Sequence, residues 1–292
     1  MSAVKPFGEN LTAMITPFEA DGRLATDRAV ALAERLLDGG CDGLVLCGTT
    51  GESPTMSAGE KSELVREVVQ AVGHRAVIMV GVGTYDTEES VRLARQAERD
   101  GAHGLLVVTP YYSRPAQDGL VAHFTAVADA SGLPVCLYDI PGRSVISIDF
   151  STYVRLAEHP RIVAVKDARG DLQFASEVMA ATGLAYYSGD DPLNLAWMSI
   201  GAVGFISVAG HVVPGRLRDL IRAYEDGDVF GARRIHEELL PLYRSVCQVG
   251  GVAWSKAALR ITGFEAGNPR LPHVPADAVL TSEIAHVLKQ YV

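Results

Sequence analysis

"RIVAVKDARGD", residues 161–171, decides how this chain is read. Residues 162 to 165 form a short apolar run bounded by charge, the mark of a buried β-strand. The run ends on Lys166, and an ammonium placed against apolar surroundings is costly unless it has a partner or a task. Two ordinary readings stand beside a chemical one: the strand surfaces at that point, or Asp167 or Asp171 pairs with the lysine.

Working outward, the same kind of run recurs along the chain. The runs are "LTAMITPF" from Leu11, "GLVLCG" from Gly43, "AVIMVGVG" from Ala76, "GLLVVTP" from Gly104, "PVCLYDIP" from Pro134, "IVAVKD" from Ile162, "LAYYSGD" from Leu184 and "GFISV" from Gly204. Their starts are roughly 20 to 33 residues apart, the length of a βα unit. The stretches between them read as amphipathic helices. In residues 58–73 Leu64, Val65, Val68, Val69 and Val72 fall on one face, and residues 87–101 repeat the pattern with a glycine stop at Gly101. Eight such units predict an α/β fold, a closed (β/α)8 TIM barrel. An open doubly wound sheet is disfavoured because the G-x-G-x-x-G fingerprint is missing after the first strand. The expected division is a barrel catalytic domain over residues 1–213 and a C-terminal helical extension over 214–292.

Composition narrows the function. The 292 residues carry a net charge of −9, with 48% hydrophobic and 21% charged residues. That is globular, and no basic cluster offers a nucleic-acid footprint. Cys41, Cys47, Cys136 and Cys247 form no C-x-x-C pair and read as small buried hydrophobes in a reducing compartment. The eight histidines show no metal-ligand spacing, and His103 and His211 read as core or surface residues. Residues 192–215 lack Asp, Glu, Lys and Arg, yet glycines and Pro214 break them into a short buried helix and a strand, not a membrane span. The opening residues lack the apolar core of a signal peptide, so a soluble cytoplasmic protein is expected.

In a barrel the C-terminal ends of the strands carry the chemistry, which gives the remaining motifs one location. A lysine there can attack a carbonyl and form a Schiff base, which requires the neutral amine. "CGTTGES" (47–53) sets Thr49 and Thr50 in a glycine turn where N–H groups and hydroxyls can hold a carboxylate. "LYDIPGRS" (137–144) offers the Tyr138 phenol for proton transfer and the Arg143 guanidinium for a carboxylate. "TPYYSRP" (109–115) puts Tyr111 and Tyr112 on a loop stiffened by prolines. "SGDD" (188–191) ends the seventh strand. Singly these are also an ordinary turn, a core tyrosine, a surface arginine, interface packing and a solvated acidic turn.

Together and in order, "ITPF", "GTTGES", "VTPYYSRP", "YDIPGRS", "VKDARGD", "YSGDD" and "GFISV" resemble the class I pyruvate-dependent aldolase superfamily, and within it the 4-hydroxy-tetrahydrodipicolinate synthase (dihydrodipicolinate synthase) family. The resemblance implies condensation of pyruvate with L-aspartate-4-semialdehyde in the diaminopimelate and lysine pathway. It implies Lys166 as the Schiff-base nucleophile, Thr49 and Thr50 on the pyruvate carboxylate, and a relay of Thr50, Tyr138 and Tyr112, the last donated by a neighbouring subunit. Arg143 is then the anchor of the semialdehyde carboxylate, and Gly189, Asp190 and Ile206 (by its carbonyl) line the pocket. No metal or organic cofactor is implied, and the assembly is a homo-oligomer, a tetramer built as a dimer of dimers.

The chain departs from lysine-inhibited relatives where they place histidines after "GES" and an asparagine after the third strand: Ala58, Lys61 and Tyr85 stand there, while Ser53, Glu89 and Tyr111 are kept. Weak or absent inhibition by L-lysine is therefore expected. Two other functions compete. One is retro-aldol cleavage of N-acetylneuraminate or a 2-keto-3-deoxy sugar acid on the same scaffold, where the neuraminate lyases typically read "GSTGE". The other is a non-catalytic binding barrel.

Overall fold

Each of the eight apolar runs becomes a strand, and no strand starts more than one residue from its expected position. The computed structural model describes residues 4–291. The strands are β1 (Asn10–Ala13), β2 (Gly43–Leu46), β3 (Val77–Gly81), β4 (Gly104–Val108), β5 (Val135–Asp139), β6 (Ile162–Asp167), β7 (Ala185–Ser188) and β8 (Gly204–Ser207). They pair in parallel in chain order, and β8 closes on β1. The fold is the expected (β/α)8 barrel.

Helices return the chain between strands: α1 (Thr26–Asp38), α2 (Ala58–Val72), α3 (Thr87–Arg99), α4 (Gln117–Asp129), the short α5 (Pro141–Ser144), α6 (Phe150–Ala157), α7 (Leu172–Thr182) and α8 (Asn194–Ser199). Helix α2 starts at a capping box: Ser57 Oγ accepts from Glu60 N–H while Glu60 accepts from Ser57 N–H at 2.9 Å. Its Leu64, Val65, Val68 and Val72 are buried, and Val69 is partly so. Gly101 stops the chain after α3 at φ +86°. The uncharged stretch of residues 192–215 divides into α8, β8 and turns. Among the described residues no helix is long and apolar enough to cross a membrane.

Strand periodicity sorts side chains into two layers. Leu11, Val45, Met79, Leu106, Cys136, Tyr138 and Ile206 fill the barrel interior. Their neighbours pack outward against the helices with Leu64, Val68, Phe124 and Tyr153. At the N-terminal end of the barrel the Phe7 ring lies over Gly104, where any Cβ would strike it. A second core joins α9 (Pro214–Glu225), α10 (Val229–Val249), α11 (Gly251–Ile261) and α12 (Ala278–Leu288), with Leu242, Tyr243 and Trp254 packed near Phe205 of β8. Cys41, Cys47 and Cys136 are buried as expected, but Cys247, on α10, is exposed, because its helix turns that face toward solvent.

Candidate active site

Lys166 owes its position to an irregularity in β6. Ile162 faces the helices and pairs with Val135, yet the next pair along the ladder is Cys136 with Ala164. Val163 is therefore one residue too many, a β-bulge, and both Val163 and Ala164 border the interior. Without it, alternation from Ile162 would turn residue 166 toward the helices, because a one-residue slip reverses every later side chain. With it, Lys166 faces inward opposite Tyr138 and Tyr187 in register.

Lys166 is only 6% exposed. Its Nζ lies 4.3 Å from the centroid of the Tyr138 ring, and among the described residues no carboxylate comes within 4.0 Å of it. Asp167 does not pair with it, because the next residue along a strand points to the opposite face. The other deeply buried lysine, Lys256, is committed: its Nζ sits 2.8 Å from Glu52 Oε1 and donates to Asn268 O at 3.1 Å. Gly189 leaves the room that the lysine stem fills, for a Cβ there would come within 3.0 Å of Lys166 Cε. Its N–H donates to Asp167 O at 2.7 Å, which ties the end of β7 to β6.

The loop after β2 is held in a costly shape. Cys47 and Glu52 are non-glycine residues at φ +53° and +56°, and left-handed backbone costs of order 1–3 kcal/mol at each. Glu52 is fixed by its buried pairing with Lys256 and by Arg270 N–H, which donates to Oε2 at 2.8 Å. Between the strained ends, Thr50 is buried and Thr49 is exposed. After β5, helix α5 carries Arg143, also exposed. Thr49, Tyr138 and Arg143 meet on the wall of a cavity of about 220 Å³, together with Ser53, Tyr111 and Ser144. Lys166 packs against the Tyr138 ring, but neither it nor Thr50 is part of that wall.

The remaining sequence-derived residues are placed as follows. Ile206 is buried in the interior beside Leu11. Asp190 is half-buried, and burial followed by the adjacent Asp191 charge pushes its carboxyl above the usual range. Asp191 is no solvated turn residue: it accepts from Ser207 Oγ at 2.5 Å and from the N–H groups of Val208 and Ala209 at 2.9 and 2.8 Å, clamping the end of β8. Tyr112 stays out of its own chain's cavity, 90% exposed at φ +71°. Tyr111 lines the cavity instead and meets Tyr85 edge-on at 5.4 Å between centroids. His211 is a core histidine, accepting from Ile15 N–H at Nε2, and burial holds it down to about 4. His103 accepts from Ile78 N–H. Among the described residues no cluster of His, Cys, Asp and Glu is arranged to hold a metal.

A parallel (β/α)8 barrel with a buried, carboxylate-free lysine beside a phenol at its mouth defines a class, the Schiff-base-forming barrel lyases. Comparison with known proteins is narrower. The chain belongs to the dihydrodipicolinate synthetase family, whose model matches residues 6–291. It is 59% identical over 269 residues to the 4-hydroxy-tetrahydrodipicolinate synthase of Mycolicibacterium paratuberculosis, covering 92% of this chain and 90% of that one. Over a stretch of the same length and the same shares of both chains, it is also 59% identical to 4-hydroxy-tetrahydrodipicolinate synthase 2 of Streptomyces coelicolor. Among solved structures, a dihydrodipicolinate synthase from Bacillus anthracis superposes with a TM-score of 0.94 at 38% identity over 97% of this chain and 98% of that one. The Cyanidioschyzon merolae enzyme, solved with lysine bound, gives 0.95 at 36% over 98% of both.

Proposed function

We infer that this chain condenses pyruvate with L-aspartate-4-semialdehyde through a lysine imine to give 4-hydroxy-tetrahydrodipicolinate, the step that opens diaminopimelate and lysine synthesis. The observation that carries the site assignment is Lys166 itself: deeply buried, without a carboxylate within 4.0 Å among the described residues, and packed on Tyr138. The Lys166 amine adds to the pyruvate ketone, and loss of water gives an iminium. The iminium acidifies the pyruvate methyl group, and the resulting enamine carbon attacks the aldehyde. The semialdehyde's own amine then displaces the lysine as the ring closes. Each stage needs a proton moved at the imine, which is the work assigned to Tyr138 and Thr50. Thr49 and Thr50 hold the pyruvate carboxylate, Arg143 anchors the semialdehyde carboxylate, and Gly189, Asp190 and Ile206 border the adduct. No cofactor is required, because the iminium is the electron sink.

The direct test is borohydride reduction in the presence of pyruvate, followed by peptide mass mapping. A pyruvate-derived adduct on Lys166 is expected; an adduct on Lys256, or none, overturns the assignment. Condensation with aspartate semialdehyde, measured against cleavage of N-acetylneuraminate and 2-keto-3-deoxy sugar acids, separates the synthase from its sister lyases. The second threonine of "GTTGE" and Arg143 favour the synthase.

Tyr112 enters the relay from a second copy of the chain. Its exposure and left-handed backbone on an outward loop support this reading, since a strained conformation of that kind is kept where a contact repays it. The protein is accordingly a homo-oligomer, a tetramer formed as a dimer of dimers, and works in the cytoplasm, where its unpaired cysteines stay reduced. Tyr112→Phe is expected to lower kcat about tenfold to a hundredfold with an unchanged melting temperature and oligomeric state by light scattering. Wild-type turnover, or a monomeric and fully active native protein, removes Tyr112 from the mechanism.

Lys61 and Tyr85 line a common cavity with Ser53, Glu89 and Tyr111. Burial holds the Lys61 amine below the usual lysine range. A lysine effector brings two ammonium groups toward this cation, so L-lysine is expected to inhibit weakly or not at all. Half-inhibition at submillimolar lysine in a steady-state assay would refute that.

A further inference from the structure

The residues directly after Tyr138 and Lys166 are both aspartates, and the mechanism uses neither. Asp139 and Asp167 are paired in register at the ends of β5 and β6 and are fully buried. Alternation turns them away from the cavity, toward α6 and β7. Asp167 has partners: its Oδ1 accepts from the N–H groups of Arg169 and Gly170 at 2.8 and 3.0 Å. Asp139 is less well served. Its Oδ2 accepts from Ile148 N–H and from the Tyr153 hydroxyl, each at 3.2 Å, while its Oδ1 has no hydrogen-bond partner.

The contact with Ile148 has a mechanical meaning. Asp139 opens the loop that carries Arg143, and its side chain grips the same loop nine residues later. Within the loop, Ser144 Oγ lies 3.0 Å from Ile140 O and 2.9 Å from Ile146 O. The tie at Ile148 is thus stitched back to the residue next to Arg143. Gln117 of α4 adds a lateral stay, donating to Ser147 O and accepting from Asp149 N–H.

We infer that Asp139 is a positioning residue: by closing the 140–148 loop through Ile148 it fixes the Arg143 guanidinium at the cavity mouth, and so sets affinity for the second, carboxylate-bearing substrate. The inference rests on the reading of Arg143 given above. A dependence on pH follows. Asp139 faces Asp167 across the ladder, Tyr153 on α6, Tyr186 on β7 and Arg169 in the loop after β6, and burial dominates, pushing its carboxyl from 3.8 up to about 7. With the loop open the carboxyl is hydrated and ionises near 3.8, so opening gains as pH rises from about 4 toward about 7 and the gain is constant above that. In the closed loop that charge sits on a carboxyl with one oxygen unpartnered and a second buried aspartate alongside. The strands cannot yield, and the loop can.

The test measures KM for each substrate from about pH 5 to about pH 8.5 in the native protein, in Asp139→Asn and in Tyr153→Phe. Asparagine keeps an acceptor for Ile148 N–H and cannot ionise. In the native protein KM for the semialdehyde is expected to rise about threefold or more between about pH 5 and about pH 7 and to level off above that, with KM for pyruvate flat. Asp139→Asn is expected to abolish the rise. Tyr153→Phe removes a donor that favours ionisation of the closed loop, and is expected to carry the rise on to higher pH before it levels. A pH-independent semialdehyde KM in the native protein, or an unchanged rise in Asp139→Asn, overturns the inference. Native protein that traps no pyruvate and forms no product at any pH sinks the reading of the site instead.

Discussion

Lys166→Ala is expected to lower turnover by about 10⁴-fold or more and to abolish borohydride trapping of pyruvate, while the protein melts at the native temperature or slightly above it. The first half follows from the chemistry. Without the amine there is no imine, no enamine, and no carbon nucleophile, and the oriented groups around it have nothing to act on. The second half follows from the structure. Among the described residues Lys166 has no acid partner, so its removal breaks no ion pair there and leaves no charge stranded. What disappears is a polar head held in a poorly solvated site, a costly group, set against the packing of its stem on Gly189 and Tyr138. Lys166→Arg sharpens the test, since a guanidinium remains protonated and forms no imine. Calorimetry with steady-state kinetics separates the two halves. A variant that unfolds, or one that keeps a tenth of its turnover, contradicts the assignment of Lys166.

The architecture was legible in the sequence because eight buried strands need eight apolar runs, and a parallel barrel needs a helix after each. Motif order then placed Thr49, Tyr138 and Arg143 at one end, where the structure gathers them around one cavity. What was not legible depends on register. Counting along "RIVAVKD" cannot reveal the bulge at Val163, because an extra residue in one strand is defined only by the partner it fails to match. Yet that residue decides which way Lys166 points. The aspartate of "VKDA" was visible only as a possible lysine partner and that of "YDIP" carried no reading, since nothing in a single strand says that position 139 will face position 167. Glu52 was read only as part of a glycine turn. Its partners lie more than 200 residues away in the chain, beyond the reach of any local pattern. Asp191 was read as a solvated turn for the same reason: the N–H groups it caps belong to a later strand end.

Breaking the Glu52–Lys256 pair is expected to carry the largest stability effect in the molecule, about 3–5 kcal/mol. Both side chains are buried, 0% and 2% exposed. The Lys256 ammonium is also 4.3 Å from the Phe18 ring centroid, and the Arg270 guanidinium is 4.1 Å from the same ring. Arg270 in turn pairs with Glu60 at the start of α2. The cluster therefore ties the β2 loop to α11 and to the segment before α12, and it holds Glu52 in its left-handed conformation. Lys256→Met leaves the buried Glu52 charge with only the Arg270 N–H. For a chain of this size the loss corresponds to roughly 10 °C in melting temperature. Adding Glu52→Gln removes the stranded charge and keeps an acceptor for Arg270 N–H, so the double variant is expected to regain at least about half of the loss. Because the same loop presents Thr49 and Thr50, Lys256→Met is also expected to raise KM for pyruvate several-fold, about 1 kcal/mol of lost positioning. A single variant within about 1 kcal/mol of native stability would mean that the loop keeps its strained shape without the pair, and that the pair is not what holds the threonines in place.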